Sequence, residues 1–354
     1  MSSPVKFDYK FPPELIARAP AAPRDAARLL IYDRQTGRIT WDSFRNLAEH
    51  LPPRSVVVLN ETKVIPARLT LLKASGGKVK ILYLGKTSAE RSVKASERQA
   101  KTIRVLANRR LSIGSLLTLP AAGVHFTVRK AAGKTYLLEP SFPLAKLSQV
   151  LRKFGETPLP PYIKHSPLAE RKLRVEYQTI FAKRQGSVAA PTASLHFTQR
   201  LLRAIKRAGR DTVFVTLHVN LGTFAPVTAE NLKSGKLHAE YYEISPSAAK
   251  LLSRAKNEGR PIVAVGTTVV RALESAADEN GRLVRRSGET RLFIRPRYKF
   301  KFVDLLITNF HVPRSSLLML VSAFVPWPKL KALYRAAIRR KFRLFSFGDG
   351  MLIK

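Results

Sequence analysis

Histidine is the side chain that most readily moves a proton near neutral pH. Four of the seven histidines in this chain, His196, His218, His238 and His311, lie in or beside loops that follow apolar runs. Such a concentration suggests acid–base work or a metal. The plain alternative is that each is a hydrogen-bonded core residue beside a strand. Two known metal patterns fail: the helical H-E-x-x-H spacing is missing. His238-Ala239-Glu240 mimics half of a zinc-deaminase signature, but the other half needs paired cysteines and the chain has none. Gly266-Thr267-Thr268 could offer backbone N–H groups and hydroxyls to a carboxylate or phosphate. Arg271, one turn on, could face the same pocket. A simple helix N-cap is the competing reading of that tripeptide. No glycine-rich dinucleotide fingerprint and no phosphate-binding P-loop is present.

In open α/β sheets ligands bind beyond the carboxyl ends of the strands. Four segments place polar groups at such positions: 189–197, which includes Thr192 and His196; 217–224, which includes His218; 266–268; and 308–311, which includes Asn309 and His311. The elements around them are legible. Residues 28–33 read as a strand, 35–37 as a turn, and Asp42 as the cap of a helix reaching His50 before Pro52-Pro53. Residues 55–60 are an apolar strand. Thr198 caps a helix that ends at Gly209, Ser245-Pro246 opens another that ends at Gly259, and a third is capped near Ser315. Strands are expected at 211–219, 261–265 and 303–308.

Between about residues 67 and 140 the texture changes to period two. Val124, Phe126 and Val128 alternate with His125, Thr127 and Arg129, and glycine turns at 75–77, 113–114 and 132–134 separate the runs. The fold expected is α/β, a larger α/β domain with a small antiparallel β-barrel domain inserted. The larger domain would comprise residues 1–66 and 155–354, and the barrel 67–154. The polar run Lys86–Lys101 reads as a solvent-facing loop.

Composition limits the function. The chain has 354 residues, 45% of them hydrophobic, which suits a folded protein. Without cysteine, disulfides, thiolate zinc sites and Fe–S clusters are excluded. The apolar run Leu317–Val325 is too short to span a bilayer and reads as a buried helix. The 63 Lys and Arg against 24 Asp and Glu give a formal net charge of +39. A polyanionic partner follows, with nucleic acid ahead of an anionic membrane surface. Because the basic residues are spread along the chain, a broad RNA-tracking surface is expected, on a cytoplasmic protein.

Read in order, several blocks resemble the S-adenosylmethionine:tRNA ribosyltransferase-isomerase family of queuosine biosynthesis. They are Phe11-Pro12-Pro13-Glu14-Leu15, Asn60-Glu61-Thr62 through Arg68, Pro158–Ile163 with Tyr177-Gln178-Thr179, Gly186–Thr192 with Leu195-His196-Phe197, Leu217-His218-Val219, Gly222-Thr223-Phe224, His238 with Glu240-Tyr241, Ala264–Thr268, Thr308–His311 and Phe347-Gly348-Asp349. They cover essentially the whole chain. The resemblance implies that S-adenosylmethionine serves as ribosyl donor, with no metal. The acceptor would be tRNA carrying 7-aminomethyl-7-deazaguanine in the anticodon, and the product epoxyqueuosine, with adenine and methionine released. Acid–base roles would fall to His196, His218, His311 and Glu240. Substrate would be held by Gly266, Thr267, Thr268, Arg271, Thr192 and Asn309, and RNA phosphates by Lys63, Arg68 and Arg314. A monomer is expected. Four positions depart from the family pattern: Ser194 and Asn220 replace glycines, Gly235 a histidine and Arg297 a glycine. Ser194 would crowd the pocket. Two alternatives stand beside this reading: a catalytically silent RNA-binding paralogue and a metal-dependent hydrolase.

Overall fold

The computed structural model describes residues 6–85, 101–220 and 227–354. The run 86–100 and the segment 221–226, with Gly222-Thr223-Phe224, lie outside the described residues. A nine-stranded mixed sheet forms the larger body. In chain order its strands are β1 (Arg28–Tyr32), β2 (Ile39–Ser43), β3 (Val56–Asn60), β12 (Asp211–Leu217), β13 (Lys236–Glu243), β14 (Ile262–Val265), β15 (Ser287–Leu292), β16 (Leu305–Asn309) and β17 (Gly350–Ile353). Across the sheet they run 15-13-12-3-14-16-17-1-2. The central four, β12-β3-β14-β16, are parallel. Of these β3, β14 and β16 are buried along their whole length, as a sheet covered on both faces requires. Val56 and Val58 face one layer of helices (Pro246–Asn257, Thr267–Ala276, Ser316–Phe324, Trp327–Arg339), while Val57 and Leu59 face the other, with helix Gln199–Arg207.

Residues between β3 and β12 build the second body. β5 (Arg68–Lys73), β6 (Lys78–Tyr83), β7 (Ile103–Ala107), β8 (Leu116–Leu119), β9 (Val124–Ala132) and β10 (Thr135–Pro140) close into an antiparallel barrel. Phe126 and Val128 point inward and are fully buried, as the period-two pattern requires. Helix Leu147–Phe154 plugs the barrel with Leu147 and Leu151. The chain enters and leaves the barrel side by side, because Arg68 and Glu156 exchange backbone hydrogen bonds of 3.2 and 2.8 Å. Gly155 makes this crossing possible: a Cβ there would sit 1.9 Å from the carbonyl oxygen of Pro66. Two short parallel strands, β4 (Thr62–Val64) and β11 (Arg184–Ser187), tie the junction to the sheet.

The expected caps form. Thr198 accepts from the N–H of Leu201, Ser245 from Ala248 and Ser315 from Leu318. The Leu317–Val325 run is a buried helix, Ser316–Phe324, and among the described residues no single helix is long and apolar enough to cross a membrane. The Asp42 expectation fails. Asp42 lies in β2, opposite Leu29, because Ile39–Ser43 pairs back along β1 after the turn at Gly37. Its carboxylate accepts from the N–H of Ser43 and the side chain of Asn46, and meets His50 at 2.6 Å. Only Leu47–His50 is left as α-helix there.

Candidate active site

The carboxyl ends of β3, β12, β14 and β16 lie together, so four loops distant in sequence share one end of the sheet. Asn60, fully buried at the end of β3, fastens them. Its Oδ1 accepts from the N–H groups of Thr62 (3.0 Å) and Leu217 (3.1 Å). Its Nδ2 donates to the carbonyl of Leu217 (3.0 Å) and to Thr268 Oγ1 (3.2 Å). An amide can donate twice and accept twice at its two ends, so this side chain is saturated. Beside it, Thr62 Oγ1 meets His218 Nδ1 at 2.8 Å, and both residues are buried. The His218 ring also stacks with Tyr241.

At the end of β14 the backbone turns sharply into helix Thr267–Ala276. Gly266 takes φ +94°, a conformation L side chains rarely adopt, and its N–H donates to the carbonyl of Ile307. The helix therefore begins at the floor of a small cavity, with Thr267 and Thr268 on its wall. Asn309, last residue of β16, lies across the cavity from them. Its Oδ1 accepts from Thr192 Oγ1 (2.8 Å), and its Nδ2 faces His196 Nε2 at 3.2 Å.

The histidines divide by environment. His311 lines the cavity, with Nε2 2.8 Å from Thr308 Oγ1. Its backbone is pinned by two tyrosines: Tyr9 donates to its carbonyl at 2.5 Å, and Tyr334 accepts from its N–H at 3.0 Å. Burial lowers its pKa to about 4, so the ring is neutral at pH 7 and can take a proton. His196 stands behind Asn309, stacked on Phe44 at 4.1 Å on the opposite face of the sheet. Its pKa falls to about 3, by burial first and then by the charges of Arg343 and Arg24. It borders Asn309 and does not line the cavity. His238 is exposed on β13.

Glu240 and Arg271 meet each other. The Arg271 guanidinium forms a buried ion pair with the Glu240 carboxylate and donates to the carbonyl of Leu292, while Glu240 also accepts from the N–H of Asn220. Neither lines the cavity. Two opposite charges removed from water must neutralise one another, which accounts for their pairing. Of the expected RNA contacts, Lys63 lines a wider cleft, Arg68 donates to the carbonyl of Leu159 at 2.8 Å, and Arg314 is exposed and paired with Asp8. Ser194 lies outside the cavity wall, fully buried with its hydroxyl lacking a hydrogen-bond partner, so it does not crowd the pocket. Arg297 adopts φ +73°, which explains why glycine suits that turn. Gly235, at φ +66°, ends helix Ala229–Ser234.

The small cavity has about 60 Å³ of space, enough for part of a ligand only. Next to it a cleft of about 660 Å³ opens between barrel and sheet, lined by Lys63, Tyr83, Arg152, Arg174 and Gln178 among others. Tyr177, fully buried and packed edge-on against Phe347, borders both spaces. Among the described residues no three His, Asp or Glu side chains gather as a metal site would require.

Sequence reasoning missed Asn60, Thr62 and Tyr177 as site residues. Asn60 had a usable signal: a polar residue directly after a run of four apolar ones, at the carboxyl end of a parallel strand; Thr62 lies two residues beyond it. Tyr177 had no such signal.

Comparison with known proteins fits this geometry. The family described as "Queuosine biosynthesis protein" matches residues 5–353. The S-adenosylmethionine:tRNA ribosyltransferase-isomerase of Carboxydothermus hydrogenoformans is 45% identical over 347 residues, covering 98% of both chains. That of Moorella thermoacetica is 44% identical over 352 residues, again 98% of both. Among solved structures, S-adenosylmethionine tRNA ribosyltransferase from Thermotoga maritima is 32% identical, covers 99% of this chain and 100% of its own, and superposes with a TM-score of 0.54. An unbroken match from end to end, over both bodies and every strand-end loop, leaves one assignment: the chain belongs to the queuosine biosynthesis protein family.

Proposed function

We propose that this protein is an S-adenosylmethionine:tRNA ribosyltransferase-isomerase acting in the cytoplasm. It moves the ribosyl portion of S-adenosylmethionine to the aminomethyl group of 7-aminomethyl-7-deazaguanine in tRNA, forms epoxyqueuosine, and releases adenine and methionine. Full-length likeness at 44–45% identity to relatives named for this activity supports the reaction class. The observation that carries the site is the cavity where helix Thr267–Ala276 begins, opening beside a cleft large enough for a nucleoside and a base.

The chemistry sets the roles. A sulfonium makes its neighbouring C–H acidic, so a neutral base must stand close to it. His311 meets that need, being neutral and on the cavity wall. His218, oriented by Thr62, is the second proton-transfer group and serves the departing adenine. The backbone of Gly266 and the hydroxyls of Thr267 and Thr268 receive the methionine carboxylate at the positive end of the helix. Asn309 faces it from β16 and Thr192 from the turn Thr192–His196, with His196 fixing the Asn309 amide. Glu240 and Arg271 act as a pair that positions Asn220. Lys63 lines the cleft, where the nucleotide extruded from the anticodon would bring its phosphates; Arg68 opens β5 at the junction with its guanidinium on the Leu159 carbonyl, and Arg314 stands on the outer surface.

The test is product formation. Incubation with S-adenosylmethionine and precursor-bearing tRNA should release adenine and yield epoxyqueuosine by nucleoside mass spectrometry. Tight RNA binding with neither product would defeat the assignment. His311→Ala should lower turnover about a hundredfold or more, and a near-normal rate would remove it from the mechanism.

A further inference from the structure

Of the two bodies the barrel is the more one-sided in charge. Its described residues, 68–85 and 101–154, hold fourteen Lys and Arg against one acid, Glu139, and that acid is paired with Arg129. Strand pairing sends much of the excess to one end. β5 leaves the junction at Arg68 and reaches its turn at Lys73; β6 starts from Lys78 and β7 ends at Ala107, so these ends meet far from the sheet. The contacts are direct. Asn108 brackets Lys80, accepting from its N–H at 2.9 Å and donating to its carbonyl at 3.0 Å. Lys73 Nζ donates to the carbonyl of Arg110, and the N–H of Ala107 to that of Lys134. Lys78, Lys80, Arg109, Arg110 and Lys134 are all exposed on this rim. None of the five forms an ion pair among the described residues.

Like charges gathered without an acid repel one another and attract a polyanion. We propose that this distal rim of the barrel docks the phosphate backbone of the tRNA stem, at a distance from the base being modified. The proposal rests on the reading of the protein as a tRNA-modifying enzyme. Six residues of β5 span roughly 20 Å at about 3.3 Å each, so phosphates on the rim belong to neighbouring nucleotides and not to the one in the cleft. Contacts of this kind position RNA without reading its sequence, and they weaken steeply with salt.

The experiment replaces Lys78, Lys80, Arg109, Arg110 and Lys134 with Gln together. Affinity for precursor tRNA is measured by filter binding between 50 and 200 mM salt, alongside steady-state kinetics. We expect the Kd and KM for tRNA to rise tenfold or more at low salt, with a shallower salt dependence. The KM for S-adenosylmethionine and kcat at saturating tRNA should stay within twofold. A control replacing Arg203, Lys206, Arg207, Lys233 and Lys250 with Gln, on exposed helices of the other body, should change tRNA affinity less than threefold. An equal loss in both variants, or unchanged tRNA binding in the rim variant, overturns the proposal. So does loss of binding to anionic phosphatidylserine vesicles with tRNA affinity intact, which would make the rim a membrane contact. Because filter binding needs no turnover, a wild-type protein that binds tRNA but forms no product defeats the proposed function alone. Should the five-site protein not fold, Lys78→Glu at the exposed start of β6 gives the same reading, with a severalfold loss expected.

Discussion

The carboxyl ends of the central strands and the far rim of the barrel treat polar groups in opposite ways. At the strand ends the polar side chains are buried, and those that join one loop to another have specific partners. Asn60 makes four hydrogen bonds, and Glu240 and Arg271 neutralise each other. On the rim five exposed cations have no acid among the described residues. Burial makes an unpartnered group costly, whereas solvent screens one cheaply. Polar residues at the strand ends are therefore fixed in place by the fold, while those on the rim are free to serve a partner.

Substitutions can break this contrast. The largest effect is expected from Glu240→Gln, which leaves the Arg271 charge buried and should lower stability by about 3–5 kcal/mol in urea titration. A loss below about 1 kcal/mol would show that the pair is hydrated. Acid comes next. His311 and His196 have folded pKa values of about 4 and about 3, against roughly 6.5 in an unfolded chain. Between those values the unfolded chain binds more protons, so stability is full above about pH 6.5 and falls as pH drops towards 4. A decline on the order of 3 kcal/mol per buried ring is expected, and His311→Gln should flatten it. A pH-independent midpoint over this window would contradict the burial of these rings.

Asn60→Asp removes the amide donors to Leu217 and Thr268. It should cost about 2 kcal/mol and slow turnover more than it alters the KM for tRNA. Thr62→Val tests orientation of His218: kcat should fall about tenfold with its pH profile moved, and Thr62→Ser should restore both. Failure of serine to rescue would mean that the methyl packing of Thr62 matters and its hydroxyl does not. The smallest change belongs to the rim, where Lys78→Gln should leave stability within about 0.5 kcal/mol.

What could be read from the chain followed locality. Alternation from Val124 to Val128 announced the barrel because inward and outward positions are set by the strand's own period of two. Thr198, Ser245 and Ser315 announced helix starts because a cap bonds three residues ahead. Asp42 misled for the opposite reason: it looks like a cap, but pairing of β2 with β1 claims its backbone first. Likewise, Glu240 and Arg271 each looked fit to meet substrate, and sequence offered no means of seeing that they meet each other.

The amino-acid order alone settled the central strands and the capped helix starts, the inserted barrel, the basic character and, through its ordered motifs, the family resemblance. Folding alone decided which polar groups touch. Asn60 reaches Leu217 across 157 residues and Thr268 across 208, and His196 is set behind Asn309 instead of beside His311. Those neighbours depend on the order of strands in the sheet and on which face each side chain takes, and long-range packing of the whole core sets both.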